Sequence, residues 1–336
     1  MRILTKTVTT SVIICVISVV VAFVSIGIAE ADPPGQTAEA SEQKAVLVTG
    51  ASTGIGRKTT EMLAAKGVFV YAGARKEKDL KELNAIENVQ SIRLDVTVQE
   101  DIDAAVAIVK KEGRGLYGLV NNAGVAILAP LIEVEESELD FIFDVNIYGP
   151  YRITKAFSPL IIKSKGRITT ISSISGILSG TFFGPYSMSK HAMEAYSDSL
   201  AREMKKLDVK VSVVEPGNYN SAIGTTLKKR IEARGVNLEG SLYEEEMQAI
   251  VDRVGSRSQH QEPDDVAEAV YHALFDENPK MRYMVVPNQT EAEWTIRKAI
   301  QELAELNQGQ PFSYDRDALI GMLDEALAAT ADGNGS

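Results

Sequence analysis

Cysteine, histidine and tryptophan are nearly missing from this chain of 336 residues, which holds one Cys, three His and one Trp. The lone cysteine, Cys15, lies in an N-terminal apolar run, so the folded body can have no intrachain disulfide, cysteine zinc site or thiol nucleophile. The three histidines show no HExxH or related spacing, which disfavours a catalytic metal centre. Positive charge is also in deficit: 35 Lys and Arg face 46 Asp and Glu, a formal net charge of −11. Nucleic acid needs a basic footprint, and adhesion to anionic lipid through charge needs basic clusters, so neither is an expected partner on that ground.

Apolar content is ample. At this length, 45% hydrophobic residues suit one large α/β domain or two small ones with a buried core. Arg2 and Lys6 precede an uncharged stretch from Thr7 to Ala29, and Ala29-Glu30-Ala31 follows. A basic start, an apolar run and a small-x-small exit mark residues 1–31 as a secretory signal peptide. The run also exceeds the ~20 residues of a spanning helix, so an uncleaved membrane anchor remains the alternative. Lysine before the run and acids after it place the body outside the cytosol. No twin-arginine start is present. Residues 32–43, with Pro, Gly, Ser and Glu, read as a linker.

From Lys44 the pattern is strand, helix, strand. Apolar runs at Ala45–Val48, Val68–Tyr71, Ser91–Leu94, Leu116–Val120, Arg167–Ile171, Val209–Val214 and Arg282–Val286 are mostly separated by helical spacing. The first such helix, Ile55 to Lys66, ends at Gly67. Continuous rather than alternating apolar strands, each followed by a helix, imply an α/β fold, a doubly wound parallel sheet covered on both faces. Ligands of such sheets sit beyond the carboxyl ends of the strands. Residues 44–287 form this expected domain; the Lys-, Glu-, Arg- and Ser-rich segment 217–263 reads as a helical lid. Residues 288–327 form a helical extension. Its stretches Trp294, Ile296, Ile300, Leu303 and Leu319, Met322, Leu323, Leu327 are expected to serve core or oligomer packing. Residues 328–336 read as a fraying tail.

Thr49-Gly50-Ala51-Ser52-Thr53-Gly54-Ile55-Gly56 joins the first strand to the first helix. Glycines there permit a tight turn and close approach of a pyrophosphate, which the helix N-terminus attracts. The second strand ends in Ala74-Arg75, without the carboxylate that binds ribose hydroxyls and repels a 2′-phosphate. Arg75 is a fixed cation suited to that phosphate, so NADP(H) is favoured as cofactor and NAD(H) remains possible. Tyr186 and Lys190 are four apart, on one helix face. An ammonium beside a phenol, whose ordinary pKa is about 10, favours the phenolate and brings it toward neutral proton exchange.

With GxxxGxG, Asn121-Asn122-Ala123-Gly124, Ser173 ahead of Tyr186-x-x-x-Lys190, and Pro216-Gly217, the chain resembles the short-chain dehydrogenase/reductase family. The resemblance runs from about Lys44 to Gly217, more weakly to Pro287, and implies a Rossmann-like sheet of about seven strands. It further implies that Gly50, Ser52, Thr53, Gly54, Ile55, Gly56, Asn122, Ala123, Gly124, Pro216, Gly217 and Ser221 line the cofactor, with Asp95 and Val96 at the adenine. By the same resemblance Tyr186 is the general acid/base, and Lys190 tunes it and holds the nicotinamide ribose. Ser173 then polarises the substrate carbonyl, and Asn146 holds a water that links Lys190 to solvent. Ser221 departs from the family's usual Thr but keeps a hydroxyl; Thr53 supplies no base. His191, next to Lys190, points about 100° away around the helix and reads as a packing or surface residue.

The expected reaction is hydride transfer between the nicotinamide and a secondary alcohol, ketone or aldehyde. The apolar segments Gly176–Gly184, Val125–Leu131 and Asn218–Leu227 point to a lipophilic substrate. Two other readings share parts of the pattern: an epimerase or dehydratase of related fold, and a silent NADP-binding sensor or scaffold. The family also implies a homodimer or homotetramer paired through the helices that carry Asn146 and Tyr186.

Overall fold

The computed structural model describes residues 43–233, 240–253 and 260–331. The leader or anchor expected at 1–31, most of the linker at 32–43, and the end of the tail lie outside the described residues. Among the described residues no helix is long and apolar enough to cross a membrane.

All seven expected strands form. They are β1 Ala45–Val48, β2 Phe69–Ala74, β3 Val89–Arg93, β4 Gly118–Asn121, β5 Arg167–Ile171, β6 Lys210–Pro216 and β7 Arg282–Val285. They make one parallel sheet in the order β3-β2-β1-β4-β5-β6-β7. The helices of the first half are α1 Gly54–Ala65, α2 Glu77–Asn84, α3 Gln99–Glu112, α4 Glu136–Phe143 and α5 Gly149–Lys163. Then follow α6 Gly184–Met204, α7 Ile223–Ala233, α8 Glu244–Arg253, α9 Asp264–Phe275, α10 Gln289–Asn307 and α11 Arg316–Ala331.

Alternate residues of each strand feed opposite cores. Val46 and Val48 pack with Leu63 of α1 and Val266, Val270 and Leu274 of α9. Ala45 and Leu47 pack with Ile102 of α3, Ile153 and Phe157 of α5 and Met204 of α6. Both faces are thus covered, which is why the strands read as unbroken apolar runs. Truncating a fully buried side chain such as Ile153 to Ala costs about 2–5 kcal/mol. The strand order reverses between β1 and β4, so the loops after these strands diverge and leave a crevice at the carboxyl edge.

Three details differ from the sequence-based picture. Asn146 lies not in a regular helix but in a π-helical turn, Asp144–Tyr148, between α4 and α5. Helix α11 runs to Ala331, past the expected helix end at Leu327. Among the described residues the apolar side chains of α10 and α11 do not enter the core: Trp294 is 56% exposed, Ile300 58% and Leu327 58%. Only Glu291 and Thr295 of α10 are buried, and Glu291 anchors the helix to the segment after β6. Periodicity marks an apolar face but does not say whether its partner is in the same chain.

Candidate active site

The glycine turn stands at the crevice, directly after β1. Gly50 and Gly54 adopt φ of +65° and +55°, a left-handed backbone that side chains disfavour. A Cβ on Gly50 would lie 2.9 Å from the Ala123 Cα, and one on Gly56 would strike the Gly50 carbonyl and the Asn122 amide. The cradle therefore exists only because all three lack side chains. Thr53 at the head of α1 makes no capping hydrogen bond, and the first turn carries no acid. The helix thus presents uncapped N–H groups and its positive dipole end between Ser52 and Ile55, a fit for a pyrophosphate.

Thr49 ties this turn to the end of β4. Its hydroxyl accepts from Asn122 N at 3.0 Å and Ala123 N at 3.1 Å. The Asn122 amide donates back to the carbonyls of Thr49 at 2.8 Å and Gly50 at 3.1 Å. Toward the other end, Arg75 is 62% exposed and pairs with Asp95 at 3.4 Å. Partial burial would raise the Asp95 carboxyl, but hydrogen bonds from Thr97 and the Arg75 charge outweigh it and hold it below the usual range. Val96 is buried against Gly149. Arg93 donates to the Arg75 carbonyl at 3.2 Å, a second cation that strand patterning did not single out.

Beyond β4, β5 and β6 the catalytic candidates converge. Lys190 is buried, and its ammonium donates to Ile171 O at 3.0 Å and lies 5.6 Å from the centre of the Tyr186 ring. Burial pushes this ammonium down to about 8, against the opposing charge of Glu194. Tyr186 is half-buried and packs against the apolar cluster of Ala126, Leu128, Leu227 and Met247. Ser173, two residues beyond Ile171, accepts from Ser175 N at 3.1 Å. Its own proton points to the Pro216 carbonyl at 3.4 Å, a long contact that leaves it easy to redirect. The Asn146 amide is pinned: it donates to Val125 O and Ser189 Oγ, both at 2.9 Å, and accepts from Val125 N at 2.8 Å. A Cβ on Gly124 would lie 3.4 Å from Asn146 Oδ1 and 3.9 Å from Lys190 Nζ, so these three meet at one point. His191 is exposed and bonded to Ser187 O, turned away from the crevice.

The segment after β6 folds back over the glycine turn, with Ser221 Cα 3.3 Å from a Cβ built on Gly54. Gly217 packs against the Glu291 carboxylate, which also accepts from Asn218 N at 2.8 Å. Helices α7 and α8 close a cavity of about 190 Å³ lined by apolar Ile127, Leu128, Pro130, Leu227, Ile231 and Met247 and by charged Glu133, Glu135, Glu138 and Arg230. At its rim Arg230 grips the buried Glu138 with two bonds, at 2.6 and 3.0 Å. Phe182 takes the left-handed φ of +65°, a costly conformation for an aromatic residue. This sets its ring 5.4 Å from Tyr243 at the approach to α8. The signal for Glu291 was its Asn288-x-x-Glu291 capping pattern; the partners Glu138 and Arg230 are 92 residues apart and carry no local signal.

Residues 44–232 match the family model described as short chain dehydrogenase. The mitochondrial D-beta-hydroxybutyrate dehydrogenase of Rattus norvegicus is 34% identical over 270 residues, 73% of this chain and 78% of that protein. Retinol dehydrogenase 16 of Homo sapiens is 37% identical over 192 residues, 56% of this chain and 60% of that protein. Among solved structures, a short-chain dehydrogenase from Streptomyces avermitilis aligns with TM-score 0.67 and 30% identity. That alignment covers 79% of this chain and 96% of the other.

Proposed function

Because the chain belongs to the short-chain dehydrogenase family, oxidoreductases that act on CH–OH groups, we propose that it transfers hydride between NADP(H) and a lipophilic secondary alcohol or carbonyl. One observation carries this reading: the Lys190 ammonium, buried beside the Tyr186 ring, at the carboxyl edge where the glycine cradle opens. The bound nicotinamide supplies or accepts the hydride. Tyr186 gives its phenolic proton to the carbonyl oxygen during reduction and takes it back during oxidation. Lys190 stabilises the phenolate through its charge. Ser173 turns its weakly held proton from Pro216 to the substrate oxygen and polarises the carbonyl. Asn146 fixes the loop after β4 against α6 and keeps Gly124 open beside Lys190.

Arg75 and the neighbouring Arg93 support NADP(H) over NAD(H): a 2′-phosphate offers Arg75 a doubly charged partner in place of Asp95. The apolar cluster behind Tyr186 and the apolar wall of the cavity under α7 and α8 support a lipophilic substrate, and so does the name of the retinol dehydrogenase relative. Ser221, close above Gly54, supports a cofactor contact from the segment after β6. Exposed Tyr151 and Met188, on α5 and α6, support pairing of two copies through those helices.

The test is cofactor consumption with a panel of carbonyls and alcohols, graded in chain length, with NADPH and NADH in parallel. Turnover rising with chain length and faster with NADPH is expected. Equal rates on small hydrophilic ketones would remove the lipophilic assignment. Cofactor binding without any net consumption would remove the oxidoreductase one.

A further inference from the structure

Behind Lys190 lies a cluster of charge that the chemistry above does not use. Glu194 is one helical turn beyond Lys190, so Tyr186, Lys190 and Glu194 follow one another along the same face of α6. The Glu194 side chain is only 12% exposed. Arg282, the first residue of β7, donates from one nitrogen to both Glu194 and Glu215, the latter at 2.7 Å. Its other nitrogen donates to Asp198 at 2.7 Å. Glu215, on β6, is 1% exposed and within hydrogen-bond reach of Glu194. Three carboxylates thus surround one guanidinium.

Two buried carboxylates side by side resist ionising together. Burial, then the Glu194 charge, push Glu215 up to about 7 in spite of Arg282. Glu215 therefore keeps its proton to higher pH than an ordinary carboxyl, and loses it as pH rises. Among the described residues Glu194 Oε1 has no hydrogen-bond partner, and a Cβ on Gly176 would lie 2.7 Å from it. That oxygen packs beneath the turn Ile174–Gly176, directly after Ser173. The charged groups around Glu194 are Lys190 and Asp198 from α6, Glu215 from β6 and Arg282 from β7; the turn Ile174–Gly176 adds none.

We propose that Glu194, clamped by Arg282 against Glu215, is a positioning residue that holds the buried Lys190 ammonium in its charged form to a higher pH than burial alone would allow. Glu194 supplies the charge that opposes the burial of Lys190, and release of the Glu215 proton strengthens that support as pH rises. The catalytic part rests on the proposed oxidoreductase reading. In carbonyl reduction the alkaline limb of kcat/KM reports the first proton lost from the Tyr186–Lys190 pair. Removing a nearby negative charge eases that loss, whichever member gives up the proton.

Glu194→Gln should move the alkaline limb down by about one pH unit, a roughly ten-fold loss of kcat/KM on that side and little change on the acid side. Glu194→Asp should restore the limb, and Glu215→Gln, which keeps the hydrogen bond without the charge, should shift it part of the way. In the cofactor-free protein, the ¹³Cε signal of Lys190, assigned by its loss in Lys190→Arg, should titrate at correspondingly lower pH in Glu194→Gln. A uniform loss of rate at every pH, with the Lys190 midpoint unmoved, overturns the proposal. A moved midpoint in a protein that turns over no carbonyl keeps the link from Glu194 to Lys190 and overturns the oxidoreductase reading instead.

Discussion

A buried ammonium makes stability depend on pH in a way that one substitution isolates. Lys190 titrates at about 8 in the fold against a reference of 10.5, because burial disfavours its charged form. Below pH 8 both folded and unfolded chains hold the proton, and the cost of burying the charge is fully present. Between 8 and 10.5 the folded chain releases it first, the unfolded chain binds more protons, and unfolding free energy rises with pH. Integrated from pH 7 to pH 10, that gain is about 2.5 kcal/mol. Lys190→Met lacks it. Urea denaturation of wild type and Lys190→Met at both pH values, taken as a difference, cancels groups that titrate alike in the two proteins. The difference should move about 2.5 kcal/mol toward wild type from pH 7 to pH 10. A difference that stays flat, or moves the other way, would refute burial of this ammonium and with it the electrostatic basis of the site.

Other outcomes follow from single contacts. Thr49→Val leaves Asn122 N and Ala123 N without their acceptor, which should cost about 2–4 kcal/mol in denaturant midpoint analysis and loosen cofactor binding. Arg75→Ala removes a charge-assisted contact worth about 1.5–3 kcal/mol, so the Kd for NADPH should rise roughly 10- to 100-fold while that for NADH changes little. Equal loss for both would show that Arg75 reads no phosphate. Met247→Trp fills the cavity beneath α7 and α8, so kcat/KM should fall for long carbonyl chains and hold for short ones; a matched fall would disconnect that cavity from the substrate.

The sheet was legible because each strand is buried on both faces and so carries an unbroken apolar run. Strand edges drifted by one to three residues where pairing overrode composition, as at Leu116–Val120, which pairs only from Gly118. The glycine turn and the Tyr186–Lys190 pair were legible because their geometry is local: glycines at one bend and residues one helical turn apart. Glu194 offered a faint signal of the same kind, an acid one turn past Lys190. Its partners offered none, since Arg282 meets it across 88 residues and joins Glu215 across 67. The π-helical turn at Asn146 was hidden because its composition is that of any amphipathic helix. The apolar faces of α10 and α11 were read as core or oligomer packing, and among the described residues they lie outside the core.

The central claim is that Tyr186 exchanges the proton with the substrate oxygen while other groups hold the cofactor. Tyr186→Phe keeps the ring and its apolar contacts and removes only the hydroxyl, so fluorescence titration with NADPH and steady-state carbonyl reduction can be compared on one preparation. Cofactor affinity within a few-fold of wild type, with turnover reduced by about 10²-fold or more, is the predicted result. Turnover that survives in Tyr186→Phe would contradict the account.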